Sequence, residues 1–279
     1  MTRRIALGVA AAVAGIGTVA AQPRPAFAVT SVKPAASDER GINIQFLRSG
    51  RLVISGFPLQ MVVAIAYHLP FQSSRLSGGP DWVRSSRYDI EATAEPGAIP
   101  AGLSAVAREQ KMRLMLQSLL ADRFKLAMRT ETREMAVFAL VVAKDGPKLE
   151  KARIEERDCP DTPGSDGINC HQFSGGQGRG MHGQAVDLED LARYVENWTE
   201  RPVVNNTGIH GLYHIDTSPW RSLRLGPAPA AGAKGEAGGY IADLPDIFTV
   251  FARMGLKLEA QKAPVEIFEI THIEKPSGN

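Results

Sequence analysis

The chain has 279 residues, 44% hydrophobic and 22% charged, with 32 Lys and Arg against 30 Asp and Glu. That balance is the one usual for a globular chain in water, long enough to bury a sizeable core as one domain or two half-sized ones. A formal net charge of +2 excludes the basic field on which non-specific nucleic-acid binding depends.

Arg3-Arg4, an apolar run from Ile5 to Ala20, and small residues before Gln22 give residues 1–21 the layout of a signal peptide, to be left out of the fold. The run is short and rich in Ala and Gly, so no stable membrane span is expected after cleavage. Loss of Arg3 and Arg4 brings the basic residues level with the acidic ones. The expected location is therefore outside the cytoplasm, periplasmic or extracellular, with no nucleic-acid partner.

Ala26–Val32 alternates apolar with small or polar residues and reads as a first strand, stopped at Lys33-Pro34. Ile42–Phe46 and Arg51–Ile54 flank Arg48-Ser49-Gly50 as a hairpin. A helix opens at Pro58, with Leu59, Val62, Val63 and Ala66 on one face. Arg87–Ala94 alternates as a strand, and a second helix places Met112, Met115, Leu116, Leu119 and Leu120 inward. The spacing then predicts two hairpins. One joins Phe124–Arg129 to Met135–Ala143 through Thr130–Glu134, and the other closes the chain from Leu256 to Ile273.

Periodicity is lost between Lys144 and Gly183, and residues 151–186 read as a linker. Asp187 is a plausible N-cap with Asp190 three residues on, ahead of Leu188, Leu191, Ala192, Val195 and Trp198. Residues 221–239, rich in Pro, Ala and Gly, read as a flexible insertion, and Asp243 with Pro245 and Asp246 starts the last helix. A helix followed by two extended segments thus occurs four times. The later pair echoes the earlier one about 130 residues on, Met135–Leu140 against Val265–Ile270. The expected fold is α+β, in two related halves (22–150 and 187–279). Each half has helices packed on a mainly antiparallel sheet.

Several stretches carry a family resemblance: Phe27–Pro34, Gly78-Gly79-Pro80-Asp81-Trp82 with Tyr88-Asp89-Ile90, Leu119–Leu126, Gly146–Leu149, Pro202-Val203-Val204 with Thr207-Gly208, Gly211-Leu212-Tyr213, Gly255–Ala260 and Glu274-Lys275-Pro276. Together they resemble an exported protein family of unknown function found in large paralogous sets in soil Acidobacteria. Asn205-Asn206 and His214 depart from that pattern. The resemblance brings no catalytic residues. Relatives joined to membrane metallopeptidase sensors imply an extracytoplasmic sensing or binding role.

Cys159 and Cys170, across a Pro/Gly/Asp loop in an exported chain, are expected to form a local disulfide, worth about 3 kcal/mol by loss of unfolded-state freedom. A metal site on Cys159, Cys170 and His171 matches no standard zinc spacing and lacks an evident fourth ligand. Gly178–Gly183 has the letters of a dinucleotide loop, but the acidic opening of the next helix would repel phosphate. No cofactor or metal is expected. His210 and His214 lie on extended backbone, about 13 Å apart at about 3.3 Å per residue. No nucleophile elbow or zinc-protease motif is present, and no catalytic residue is assigned. Trp82, Arg84, Arg87 and Tyr88 form the binding candidate, since Trp and Arg anchor interfaces, and Trp220 is expected as an exposed aromatic. The function expected is a non-catalytic binding or sensory module for a protein, peptide or envelope polymer. The alternative is a hydrolase acting on envelope or extracellular substrates.

Overall fold

The computed structural model describes residues 24–35, 41–159, 168–222 and 243–276. The expected leader and nearly all of the expected insertion fall outside these described residues.

The first portion runs β1 (Phe27–Pro34), β2 (Asn43–Phe46), β3 (Arg51–Pro58), α1 (Leu59–Ala66), β4 (Leu76–Gly78), α2 (Trp82–Ser85), β5 (Arg87–Ala94), α3 (Ala105–Phe124) and β6 (Ala127–Val142). The second runs β7 (Glu150–Lys151), β8 (Ser174–Gly176), β9 (Gly180–Val186), α4 (Leu188–Glu196), β10 (Val203–Asn205), β11 (Tyr213–Asp216), α5 (Ile247–Arg253) and β12 (Leu256–His272). The fold is α+β with mainly antiparallel sheets. Two strand pairings, β10 with β6 and β4 with β12, are parallel.

Side-chain alternation sets the faces. In β5, Tyr88, Ile90, Ala92 and Ala94 point to the core while Glu91 stays in solvent. Tyr88, Ile90 and Ala92 meet Met112, Leu116, Leu120 and Phe124 of α3 in the first of two apolar clusters. Ser104 starts α3 by accepting from the Ala107 N–H at 3.2 Å. The second cluster gathers Val186 of β9, Leu188, Leu191 and Val195 of α4, and Val250 and Phe251 of α5.

The two predicted hairpins are instead two single strands paired with each other. β6 and β12 run antiparallel from Val142↔Leu256 to Ala127↔His272. Thr130–Glu134, read as a turn because it is charged, stays extended opposite Pro264–Phe268. It contains no Gly, Pro or Asn to turn the chain, and its backbone groups are paired with a strand far away in sequence. Residues 174–186, inside the expected linker, form β8 and β9 of the third sheet. Trp220, expected at the surface, is fully buried. Its ring stands edge-on to Trp198 at 5.5 Å, and its carbonyl accepts from the Gly178 N–H.

The outer sheets have orders β1-β5-β3-β2 and β7-β11-β9-β8, and the central sheet is β10-β6-β12-β4. Matching β4 with β10 and β6 with β12 makes the central order read the same from either end. Val203 then faces Phe138 as Leu76 faces Phe268.

Candidate functional site

The candidates around Trp82 separate. Tyr88 is 4% exposed and stands edge-on to Phe124 at 5.1 Å, so it belongs to the core. Arg87 donates to the Gly56 carbonyl at 2.7 Å, tying β5 to the irregular step of β3, where Gly56 has φ +69°. Trp82 is half-buried against the first core, with the Lys275 ammonium 5.8 Å from its ring centre. Of the four, Arg84 lines the cleft beside α1.

That cleft, about 260 Å³, is bounded by Pro58, Gln60, Met61, Phe71, Gln72, Ser73 and Arg84. Pro58 caps α1 without a side-chain hydrogen bond, and the Leu59 N–H donates to the Ser86 carbonyl at 3.0 Å. Phe71 keeps 39% of its surface exposed while its ring meets Phe57 edge-on at 5.7 Å. Arg84 reaches Asp81 only at 3.5 Å, and both side chains are in solvent.

Behind the cleft, the buried Glu196 carboxylate (1% exposed) accepts from Ser73 Oγ, from Arg75 Nε and Nη2 at 3.0 and 2.9 Å, and from the Val203 N–H at 3.1 Å. This bidentate pair joins the α1–β4 loop to the end of α4. Its lone pairs are all engaged, which makes it a structural clamp.

A second polar centre sits at the start of α4. Asp187 and Asp190 form the capping box that their spacing predicts, the Asp190 N–H donating to Asp187 Oδ1 at 2.7 Å. His171, at φ +56°, brings Nδ1 to Asp190 Oδ2 at 2.6 Å and Nε2 to Glu156 Oε2 at 2.9 Å. Arg193 donates to the other Asp190 oxygen. The hydrogen bond to Asp190, outweighing burial and seconded by Glu156, raises the His171 pKa to about 9. The imidazolium is therefore charged at neutral pH. The expected Cys159–Cys170 disulfide is present beside it.

His182 Nδ1 lies 2.6 Å from Asp216 Oδ1, but its Nε2 faces the Arg179 carbonyl at 3.1 Å. In both His–carboxylate pairs the second ring nitrogen meets an oxygen acceptor, where a hydrolytic site would place a hydroxyl or thiol. His210 and His214 are exposed on separate positions of the β11 approach. Gly178 and Gly180 make the tight turn between β8 and β9. A Cβ at Gly180 would stand 2.3 Å from the Thr217 carbonyl oxygen.

Sequence reading missed Phe71, which lies in an aperiodic loop. It also missed the role of His171, whose partners come from three separate segments. A His directly after a bridging Cys, with a D-x-x-D cap nearby, is the only local signal for the latter.

These features define an α+β protein with a shallow aromatic cleft on one helix and a disulfide-pinned ionic network on another. The chain belongs to the family described as "Protein of unknown function (DUF3738)", whose model matches residues 60–273. No curated protein and no solved structure matches the chain. No helix among the described residues is long and apolar enough to cross a membrane.

Proposed function

We propose that this chain is an exported, non-catalytic binding or sensory module that takes one side-chain-sized group of a larger partner, a protein, peptide or envelope polymer, into the cleft beside Phe71. The observation that carries the reading is an exposed phenyl ring and an unclamped Arg84 guanidinium at the mouth of one cleft. Small-molecule and cofactor pockets run to about 300–1,000 Å³. A cleft of about 260 Å³ suits one residue or one sugar unit, and affinity then comes from the surface around it. Trp82, next to Arg84 on α2, supplies further half-exposed aromatic surface.

Export is supported by the N-terminal charge and apolar pattern and by the disulfide, which persists in oxidising compartments. An internal duplication is supported by the matched sheet orders and by the 130-residue step from Phe138 to Phe268.

The test is selection of displayed dodecapeptides, and sedimentation with purified cell-wall sacculi, using the wild-type protein and Phe71→Ala. The reading predicts retention of one probe class, lost by at least about tenfold in the variant, since a buried aromatic anchor carries 2 kcal/mol or more. Retention indifferent to Phe71 would refute the cleft. Cleavage of either probe that His182→Ala abolishes would establish the hydrolase alternative instead.

A further inference from the structure

The ring nitrogen of His171 that does not face Asp190 lies against Glu156, and His171 is one of three residues placed to share a ligand. Glu156, Cys159 and His171 bring their ligand atoms within 4.8 Å of one another, and Cys170 Sγ is bonded to Cys159. We propose that reduction of the Cys159–Cys170 disulfide opens a tetrahedral Zn²⁺ site formed by Cys159 Sγ, Cys170 Sγ, His171 Nε2 and a Glu156 carboxylate oxygen. This inference is independent of the cleft and of its ligand.

The ligand set supplies what the two cysteines and the histidine lack by themselves, a fourth donor. Thiolate, imidazole and carboxylate are each zinc-ligand types, with Zn–S about 2.3 Å, Zn–N about 2.0–2.1 Å and Zn–O about 2.0–2.2 Å. The supporting shell is already in place. Asp190 holds Nδ1 at 2.6 Å, which fixes the ring and leaves Nε2 as the metal-facing nitrogen. That is the carboxylate–histidine–zinc arrangement of bound sites. Asp190 is braced by Arg193 and by the Asp187 N–H at 3.1 Å. The backbone is held as well. Cys170 bridges Ala185, and the His171 N–H donates to the Ala185 carbonyl at 2.8 Å. Glu156 and Cys159 are the two ends of one short turn, the Cys159 N–H reaching the Glu156 carbonyl at 3.3 Å. The alternative triad of His171, Asp187 and Asp190 is poorer, because both carboxylates are committed to the helix cap and Arg193 lies against Asp190.

The chemistry balances with a dithiol as reductant. It passes two electrons and two protons to the sulfur pair and becomes a disulfide, giving two cysteine thiols. The metal then displaces both thiol protons and the proton shared by Nε2 and Glu156. In the oxidised protein both sulfurs are spent and the site is shut.

Co²⁺ is the probe, because thiolate ligation gives near-ultraviolet charge-transfer bands and tetrahedral geometry gives visible bands. Full-length protein reduced with a phosphine and desalted anaerobically is expected to bind one Co²⁺ with both signatures, and Zn²⁺ is expected to displace it. Oxidised protein should show neither. Glu156→Gln and His171→Gln should each weaken binding at least about tenfold with unchanged far-ultraviolet circular dichroism. The proposal is overturned if reduced protein binds Co²⁺ no more tightly than Cys159→Ser/Cys170→Ser. It also fails if both single variants bind as wild type, if oxidised protein gives the same spectrum, or if the reduced chain unfolds before metal is added.

Discussion

α1 and α4 each follow directly on an inner strand of a four-stranded sheet, β3 or β9, yet different forces secure them. α1 buries Leu59, Val62, Val63, Ala64, Ile65 and Ala66, has no acidic residue in its first turn and no side-chain cap. Its last carbonyls are met from α3, Arg113 donating to Ile65 and Gln117 Nε2 to Ala66 at 2.9 Å. α4 buries Leu188, Leu191, Ala192 and Val195 together with two carboxylates, Asp190 and Glu196. Polar groups reach it from His171, Ser73 and Arg75, and its own Arg193 pairs with Asp190. Where the first turn carries acids, His171, next to the disulfide, sits against it; where it carries Gln60 and Met61 after Pro58, a cleft remains open. An apolar helix end is free to receive a partner, whereas an acidic one has already found its partner within the chain.

The largest expected effect falls on the polar side of this contrast. Glu196→Ala leaves the Arg75 guanidinium, 22% exposed, and the Val203 N–H without their acceptor, and removing one member of a buried pair costs about 3–5 kcal/mol. Urea unfolding at pH 7 should show that loss. Replacing both members, Arg75→Met with Glu196→Met, should recover at least about half of it, since the uncompensated charge is gone. Equal losses in single and double variants would show that packing, not charge, holds α4.

The next effect compares the two helix exits into the long strands. Lys125 after α3 and Gly255 after α5 both take left-handed backbone, φ +52° and +68°, one 130-residue step apart. Gly255→Ala would set its Cβ 2.0 Å from the Gly146 carbonyl oxygen and 2.9 Å from the Lys148 nitrogen. We expect a loss of at least about 2 kcal/mol from the backbone shift and strain. Lys125→Gly removes a left-handed penalty of about 1 kcal/mol and should be neutral to stabilising. Opposite signs in thermal unfolding would confirm one shared exit geometry.

These exits also mark how far the sequence could be read. The alternation of Arg87–Ala94, the apolar face of α3 and the Asp187/Asp190 cap are encoded within a few residues and occur where expected. The likeness of Met135–Leu140 to Val265–Ile270 lies in two strands that the structure pairs with each other. The partner of each segment was not legible, because the pairing of β6 with β12 links residues over a hundred positions apart and leaves no local mark. Trp220 was misplaced because its Pro- and Ala-rich surroundings say nothing about the Trp198 ring that receives it. The disulfide followed from two cysteines and a loop. The cleft at Phe71 could not be read from the sequence, since its walls come from α1, the loop after it and α2.

A smaller effect belongs to His171. With its pKa at about 9 in the folded protein against an ordinary 6.5, the pairing contributes fully below pH 6.5. It fades as pH rises and is lost through about 9, when the folded form releases the proton. Measured on oxidised protein, His171→Ala should cost about 1–3 kcal/mol at pH 7 and much less at pH 10. A cost independent of pH would assign the effect to packing at the disulfide and remove the ionic contrast between α4 and α1.

The smallest stability effect bears most directly on function. Arg84 is 53% exposed and its ion pair reaches a fully exposed Asp81, so Arg84→Ala should shift stability by no more than about 0.5 kcal/mol. Phe71→Ala also removes a ring that packs on Phe57, so a binding loss there could be shared with local loosening of the α1 loop. Arg84→Ala has no such second cause, because among the described residues its guanidinium makes only the 3.5 Å contact to solvent-exposed Asp81. A fall in probe retention with unchanged unfolding would place the partner's contact at the cleft mouth and show that it favours a cation. Unchanged retention beside a Phe71-dependent loss would confine recognition to the apolar wall of α1, the helix held by packing and not by the ionic pairs that secure α4.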